Sequence, residues 1–130
     1  MNNAIIFVIE EDDDTRPILR RILKNNGYKV SLAIDEEDAL DRVSDQCLKA
    51  DLALMDFPKR SVEEILHIGR NVCRIGNLNI PIVVIAAKYG EDLEGTDVQV
   101  ADNEYITYLE DGEQLFELLP RLLLRQTAGL

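Results

Sequence analysis

The sequence predicts an α/β protein in which helices cover both faces of a parallel β-sheet. Apolar runs of strand length alternate with amphipathic segments of helical length along nearly the whole chain. Of the 130 residues 46% are hydrophobic and only 5% aromatic, so aliphatic side chains can fill one core. We therefore expect one domain over residues 1–125, followed by a short C-terminal tail at 126–130.

The predicted elements follow in order along the chain. Asp14 is expected to cap the first helix, Asp35 the second and Asp111 the last, and Ser61 with Glu64 fits a capping box before the third. The Asn26–Gly27 pair ends the first helix. Strands are predicted at residues 4–9, 28–33, 52–55, 81–87 and 105–109, and the later helices at 36–48, 62–75 and 112–124.

Residues 88–103 depart from this alternation. A helix is expected between the fourth and fifth strands, yet the segment contains Gly90, Gly95 and the β-branched Thr96, Val98 and Val100. It also lacks an apolar stripe with helical spacing. We therefore predict a fourth helix that is short, distorted or absent.

The acidic composition limits the classes of partner. A formal net charge of −11 repels nucleic acid and anionic membrane surfaces, and it favours cations and basic protein surfaces. No apolar run approaches the roughly 20 residues that span a bilayer, and the N-terminus lacks the order of a secretory signal. The sequence thus predicts a cytoplasmic protein with no direct contact with nucleic acid or membrane.

In a doubly wound parallel sheet, ligands bind beyond the carboxyl ends of the strands. This rule selects Glu10 and Glu11 after the first strand, Asp56 after the third, Ala86 at the end of the fourth and Tyr108 at the end of the fifth.

With these residues in place, the chain resembles the receiver domain of two-component response regulators, from about residue 4 to residue 124. The resemblance rests on five stretches in the family's order: FVIEEDDDTRPILRRIL, GYKVSLAIDEEDAL, ADLALMD, IPIVVIAA and ADNEYITYL. It implies a flavodoxin-like doubly wound (βα)₅ sandwich with a parallel five-stranded sheet of order 2-1-3-4-5. In that order the first and third strands are neighbours, so Glu10, Glu11 and Asp56 are expected to converge. Mg²⁺ is the hard, oxygen-seeking cation that suits such carboxylates.

The resemblance also implies roles. Asp56 would accept a phosphoryl group, and Mg²⁺ would be held by Asp56, by Glu11 directly, by Glu10 through water and by the carbonyl of Pro58. Tyr105 matches the aromatic switch residue. A histidine kinase or phosphotransfer protein and a downstream protein would be partners, and a homodimer would use the face of the fourth helix, fifth strand and fifth helix. Apart from Mg²⁺-assisted self-phosphorylation, no enzyme activity is expected.

Several positions depart from the family pattern. Ala86 replaces the Ser or Thr whose hydroxyl holds the phosphoryl group, Tyr108 replaces a Lys, and Leu109 replaces a cis proline. A neutral phenol cannot substitute for an ammonium, and a trans peptide is expected before Leu109. The loop after Asp56 is shorter than in the family and contains Lys59 and Arg60, and Glu11 stands in place of Asp. Lys88 is an alternative source of the positive charge that the family's Lys would supply.

Two hypotheses follow from these matches and departures. In the first, the chain is a stand-alone receiver that is phosphorylated on Asp56. In the second, it is a pseudo-receiver, an interaction module that works without phosphorylation. A flavin or nucleotide binder with the same fold is disfavoured, because the turn after the first strand is acidic and has no glycine.

Overall fold

The structure is a computed structural model that describes residues 4–128, with side chains described through residue 124. A six-stranded sheet is covered by α1 and α4 on one face and by α2 and α3 on the other. The strands are β1 (Ile5–Glu10), β2 (Lys29–Ala33), β3 (Leu52–Asp56), β4 (Ile82–Ile85), β5 (Asp97–Ala101) and β6 (Glu104–Thr107). The helices are α1 (Thr15–Asn25), α2 (Glu36–Val43), α3 (Val62–Gly76) and α4 (Gly112–Ala128).

Five of the strands are parallel and lie in the predicted order. Numbered along the chain, the sheet reads β2-β1-β3-β4-β6-β5, so β6 takes the place expected for a fifth strand. The prediction of a sheet with only parallel strands is wrong at one edge, where β5 pairs antiparallel with β6. The doubly wound fold class itself is confirmed.

Alternate residues of the central strands enter two separate cores. Phe7 and Ile9 of β1 pack with α2 and α3, whereas Ile6 and Val8 pack with α1 and α4. All four side chains are fully buried. The continuous apolar runs in the sequence arise because the strands are covered on both faces.

The segment at residues 88–103 contains no α-helix, as the sequence predicts. A single 3₁₀ turn at Glu91–Leu93 is followed, after three residues, by β5. A two-residue turn joins β5 to β6, and its second residue, Asn103, has φ 61°. Asparagine tolerates this left-handed backbone conformation better than most residues. The chain therefore forms a short β5–β6 hairpin here instead of a fourth helix.

Two other helix ends differ from the prediction. The second helix ends at Val43 rather than near residue 48, because Gln46 adopts φ 59° and the Asp45 side chain accepts a hydrogen bond from the Cys47 N–H at 2.9 Å. The last helix continues to Ala128, into the predicted tail, and residues 129–130 lie outside the described part of the chain. Among the described helices, none is long and apolar enough to cross a bilayer.

The predicted caps of the three later helices are present. Asp35 accepts a hydrogen bond from the Asp38 N–H at 2.7 Å, and Asp111 accepts one from the Gln114 N–H at 3.2 Å. Ser61 forms the reciprocal capping box with Glu64. These bonds fix where each helix starts, because they satisfy N–H groups that have no partner inside the helix.

Replacing Ser61 with alanine is expected to lower the free energy of unfolding by about 1 kcal/mol, because the Glu64 N–H loses its acceptor. Urea unfolding followed by circular dichroism measures the change. Ser61→Asp is the matched control, since it keeps an acceptor at the same position, and it should remain close to wild type. Equal destabilisation by both substitutions would contradict a capping role.

Candidate functional site

Two carboxyl groups meet at the carboxyl end of the sheet. Glu10 ends β1 and Asp56 ends β3, and the two residues are register partners in the parallel ladder. Glu10 is fully buried, whereas Asp56 is partly exposed. The structure thus brings together two of the three predicted carboxylates, with Asp56 as the accessible member of the pair.

Burial and proximity change the acidity of both groups. Desolvation, followed by the hydrogen bond and charge of Asp56, raises the pKa of Glu10 to about 9. Desolvation also raises the pKa of Asp56, although its hydrogen bond with Glu10 acts in the opposite direction. The pair is therefore expected to hold one proton at neutral pH, mainly on Glu10.

The oxygen atoms of Glu10 are unequally satisfied. Oε2 accepts a hydrogen bond from the Asp12 N–H at 3.2 Å. Oε1 is buried and has no N–H or O–H donor among the described residues. An ionised Glu10 would leave this oxygen uncompensated, which is unfavourable in a buried site. Oε1 therefore requires a proton, a cation or a hydrogen bond from water.

Asp12, rather than Asp14, organises the start of α1. Its Oδ2 accepts hydrogen bonds from the Thr15 N–H, at 3.0 Å, and from the Thr15 hydroxyl. The bond from the hydroxyl is the largest cause that lowers the pKa of Asp12. Asp14 lies at the cap position but its side chain makes no capping bond, because its backbone is already in the right-handed helical region. The prediction of Asp14 as the capping side chain is therefore wrong.

Arg16 holds the acidic loop in place, and the sequence reasoning missed it. Its Nε donates to the Glu10 carbonyl at 3.0 Å and its Nη2 to the Glu11 carbonyl at 3.2 Å. Its Nη1 lies 2.9 Å from the Asp13 carboxylate. One guanidinium thus fixes the backbone at the end of β1. A basic residue at the start of the helix after an acidic loop was the available sequence signal.

Glu11 does not join the carboxyl pair. Its Oε1 lies 3.9 Å from Nε of Arg60, which belongs to the turn after β3. Among residues 4–124 no three acidic, His or Cys side chains are grouped so that they could hold a metal ion. The expected convergence of three carboxylates is therefore wrong in this structure, because a nearby cation attracts the third.

Pro58 lies in the exposed turn that follows the buried Phe57. The Arg60 N–H donates to the Phe57 carbonyl at 3.1 Å and closes this turn. The guanidinium carbon of Arg60 also lies 5.6 Å from the centre of the Phe57 ring. The role of the Pro58 carbonyl as a metal ligand stays a prediction.

The position that would hold a phosphoryl group at the end of β4 has no side-chain hydrogen-bond donor. Ala86 is buried just after β4, and its N–H donates to the Thr107 carbonyl at 3.0 Å. The hydroxyl of Thr107 is buried too, but it accepts a hydrogen bond from Nε2 of Gln114 at 3.1 Å. Tyr105, the predicted switch aromatic, is 6% exposed.

Tyr108 and Leu109 follow β6 instead of forming its end. The Tyr108 ring contacts Tyr89 edge to face, with centroids 5.5 Å apart, and the Tyr89 hydroxyl donates to the Leu109 carbonyl at 2.7 Å. Among the described residues no peptide bond is cis, which confirms the trans bond before Leu109. In the same part of the chain no lysine forms an ion pair with Asp56, and Lys88 is exposed.

Comparison with solved structures identifies the class of fold. A CheY-like receiver domain from Methanospirillum hungatei covers 99% of this chain with a TM-score of 0.73 and 14% identity, over 100% of its own length. The N-terminal domain of a response regulator/sensory box/GGDEF protein from Carboxydothermus hydrogenoformans covers 96% of this chain, over 98% of its own length, with a TM-score of 0.72 and 20% identity. The fold is that of receiver domains.

Sequence comparison agrees with the fold. Response regulator MprA of Mycobacterium sp. (strain KMS) is 33% identical over 127 residues, or 95% of this chain. MprA of Mycolicibacterium vanbaalenii is 33% identical over 126 residues. The chain spans about half the length of these curated relatives, 51% in each case. No protein-family profile matches. The chain thus has the fold of receiver domains, and it is similar to response regulators along almost its whole length.

Proposed function

We propose that this receiver domain accepts a phosphoryl group on Asp56 from a histidine kinase or phosphotransfer protein, and then signals to a downstream protein by direct contact. The observation that supports this proposal is the Glu10–Asp56 pair at the carboxyl end of the sheet. Asp56 is the member of the pair that remains accessible to a donor. We further propose a cytoplasmic protein that has no other catalytic activity.

The proton on Glu10 suits Asp56 for nucleophilic attack. Because Glu10 retains the shared proton at neutral pH, the negative charge of the pair resides mainly on Asp56. An Asp56 oxygen then attacks phosphorus in line, the new O–P bond forms, and the bond from phosphorus to the donor nitrogen breaks with its electron pair passing to that nitrogen. The product is an acyl phosphate on Asp56.

The carboxyl pair fits Mg²⁺, because this ion is commonly held by one or two carboxylates and retains several waters. The buried Glu10 Oε1, which lacks a donor among the described residues, could accept a hydrogen bond from a metal-bound water. In the set that the family resemblance implies, Asp56, Glu11 and the Pro58 carbonyl bind the ion directly, and the Glu11 carboxylate would have to turn away from Arg60 to do so. Bound Mg²⁺ would neutralise charge on the phosphoryl oxygens.

A second candidate function is that of a pseudo-receiver, which binds its partner without phosphorylation. The observation that favours it is the Tyr89–Tyr108 contact, since an aromatic pair lies at the position where the family has an ammonium. Ala86 adds to it by removing the hydroxyl that would hold the phosphoryl group. In this case Asp56 and Glu10 would be a buried acid pair without a chemical role.

Intact mass measurement separates the two functions. Wild type, Asp56→Asn and the control Asp41→Asn, which alters an exposed carboxylate on α2, would be incubated with acetyl phosphate and excess Mg²⁺. We expect the mass of one phosphoryl group to be added to wild type and to Asp41→Asn, but not to Asp56→Asn. If no adduct forms on wild type over many hours, the pseudo-receiver function replaces the first proposal.

A further inference from the structure

The outer edge of β5 is open. β5 pairs with β6 on one side and ends the sheet on the other. In an antiparallel pair every second residue directs its N–H and C=O away from the partner strand, so this edge presents unpaired backbone donors and acceptors. Such an edge can accept a further strand from another polypeptide.

Apart from one irregularity in its pairing, the edge lacks the features with which proteins usually block strand addition. Val98 and Val100 expose 42% and 44% of their surface. Residues 91–104 contain no lysine, arginine or proline, which are the residues that commonly protect an exposed edge. The irregularity between Gln99 and Ala101 is the only interruption along β5 in the described pairing. The edge is therefore both apolar and open.

A groove runs beside β5 on the side of α4. Its volume is about 530 Å³, and its lining includes Gln99 of β5, Tyr105 of β6, and Leu118, Leu122 and Leu124 of α4. Leu124 is 68% exposed. A strand added to β5 would direct alternate side chains to opposite faces, so one set would reach this groove.

The charge around the β5 edge indicates which kind of polypeptide segment would bind there. Residues 91–104 include six acidic side chains and no basic ones. Asp97 pairs with Arg121 at 2.9 Å and Glu104 with Arg70 at 2.6 Å. The other four form no ion pair within the described structure: Glu91, Asp92, Glu94 and Asp102. A second copy of this chain would bring the same acids to the interface, whereas a basic segment would neutralise them.

We propose that the β5 edge docks an extended, basic segment of a partner protein, in which apolar and basic residues alternate. The segment joins the sheet through backbone hydrogen bonds. Because alternate side chains point to opposite faces, its apolar set enters the groove beside α4, on the face of Gln99 and Tyr105, and its basic set lies on the face of Val98. This interaction extends the proposed function, because it specifies a surface and a partner chemistry and requires no phosphoryl group on Asp56.

A peptide probe tests the proposal on the full chain. The probe is a fluorescently labelled nine-residue peptide in which valine alternates with lysine. One control peptide has the same composition in scrambled order, and a second is N-methylated at alternate amides, so that it keeps its charge but cannot complete a ladder. Binding is followed by fluorescence anisotropy at low and moderate salt, and the site is mapped by amide chemical shifts.

Protein variants locate the site on the sheet. Val98→Lys places a charge on the proposed edge, and Ile34→Lys makes the same change at a residue that is 49% exposed near the opposite edge. We expect Val98→Lys to weaken binding of the alternating peptide at least tenfold and Ile34→Lys to change it less than twofold. Amide shifts should concentrate in residues 96–101, and the N-methylated peptide should bind at least tenfold more weakly.

Three results would overturn the proposal. Equal binding of the alternating and N-methylated peptides would show non-specific charge attraction. A shift map centred on the acidic loop at residues 10–14 would place the peptide at the other site. Finally, sedimentation that showed a dimer of the chain alone, abolished by Val98→Lys but not by Ile34→Lys, would assign the edge to a second copy instead of a basic partner.

Discussion

Glu10→Gln is expected to raise the free energy of unfolding by about 2 kcal/mol at pH 8 and to leave it nearly unchanged at pH 5. The pKa of Glu10 rises from its ordinary 4.5 to about 9 on folding. Between these values the folded state binds more protons than the unfolded state, so stability falls as pH rises. Glutamine does not ionise, so the variant does not lose stability as the pH rises. Its amide can still donate to Asp56 and accept from the Asp12 N–H.

Urea unfolding at pH 5, 6, 7 and 8, with EDTA present to exclude metal binding, measures this effect. The matched control is Glu117→Gln, which removes an exposed carboxylate from α4. The control should stay within about 0.5 kcal/mol of wild type throughout the range. If the pH profiles of Glu10→Gln and wild type run parallel, then Glu10 is ionised in the folded protein and the shared proton is excluded.

Arg16→Ala is expected to lower the free energy of unfolding by about 2 kcal/mol, because charge-assisted hydrogen bonds to two carbonyl oxygens are lost together. The side chain of Arg16 is only 16% exposed, and it bonds the backbone of Glu10 and Glu11. Without this side chain, the loop at residues 10–14 loses its main hydrogen bonds to α1. Amide hydrogen exchange should therefore increase at residues 10–14.

Arg20→Ala is the control for this prediction, since Arg20 is an exposed residue of the same helix. Both substitutions remove one positive charge from an acidic protein, so a general electrostatic effect would appear in both. A destabilisation of equal size in the two variants would show that net charge, rather than the hydrogen bonds of Arg16, determines the result.

Most of the fold follows from the sequence because its main signals are local or periodic. Buried parallel strands give continuous apolar runs, and caps such as Asp35 and Ser61 mark helix starts within a few residues. The additional strand, β5, is not among the predicted strands, although Val98 and Val100 alternate with polar residues before an Asp–Asn turn. The glycine and β-branched residues of that segment indicate only that a helix is unfavourable there, and they do not by themselves specify a strand.

The site was predictable where strand position determines it. Glu10 and Asp56 meet because neighbouring parallel strands end together. Glu11 behaves differently because its position depends on where the flexible side chain of Arg60 lies, and residue spacing carries no information about that choice. The capping role of Asp12 in place of Asp14 also depends on backbone angles that composition does not specify.

Because β5 and β6 form a hairpin, the last part of the sheet is assembled from strands that are close together in the sequence. β5 meets β6 through a turn of two residues, so its pairing closes one of the shortest loops in the molecule and loses little chain entropy. β1 and β3, by contrast, pair only after the whole β1–α1–β2–α2 segment has been enclosed. The edge that remains open to other polypeptides is thus the part of the sheet with the most local contacts, and its formation depends least on the rest of the chain.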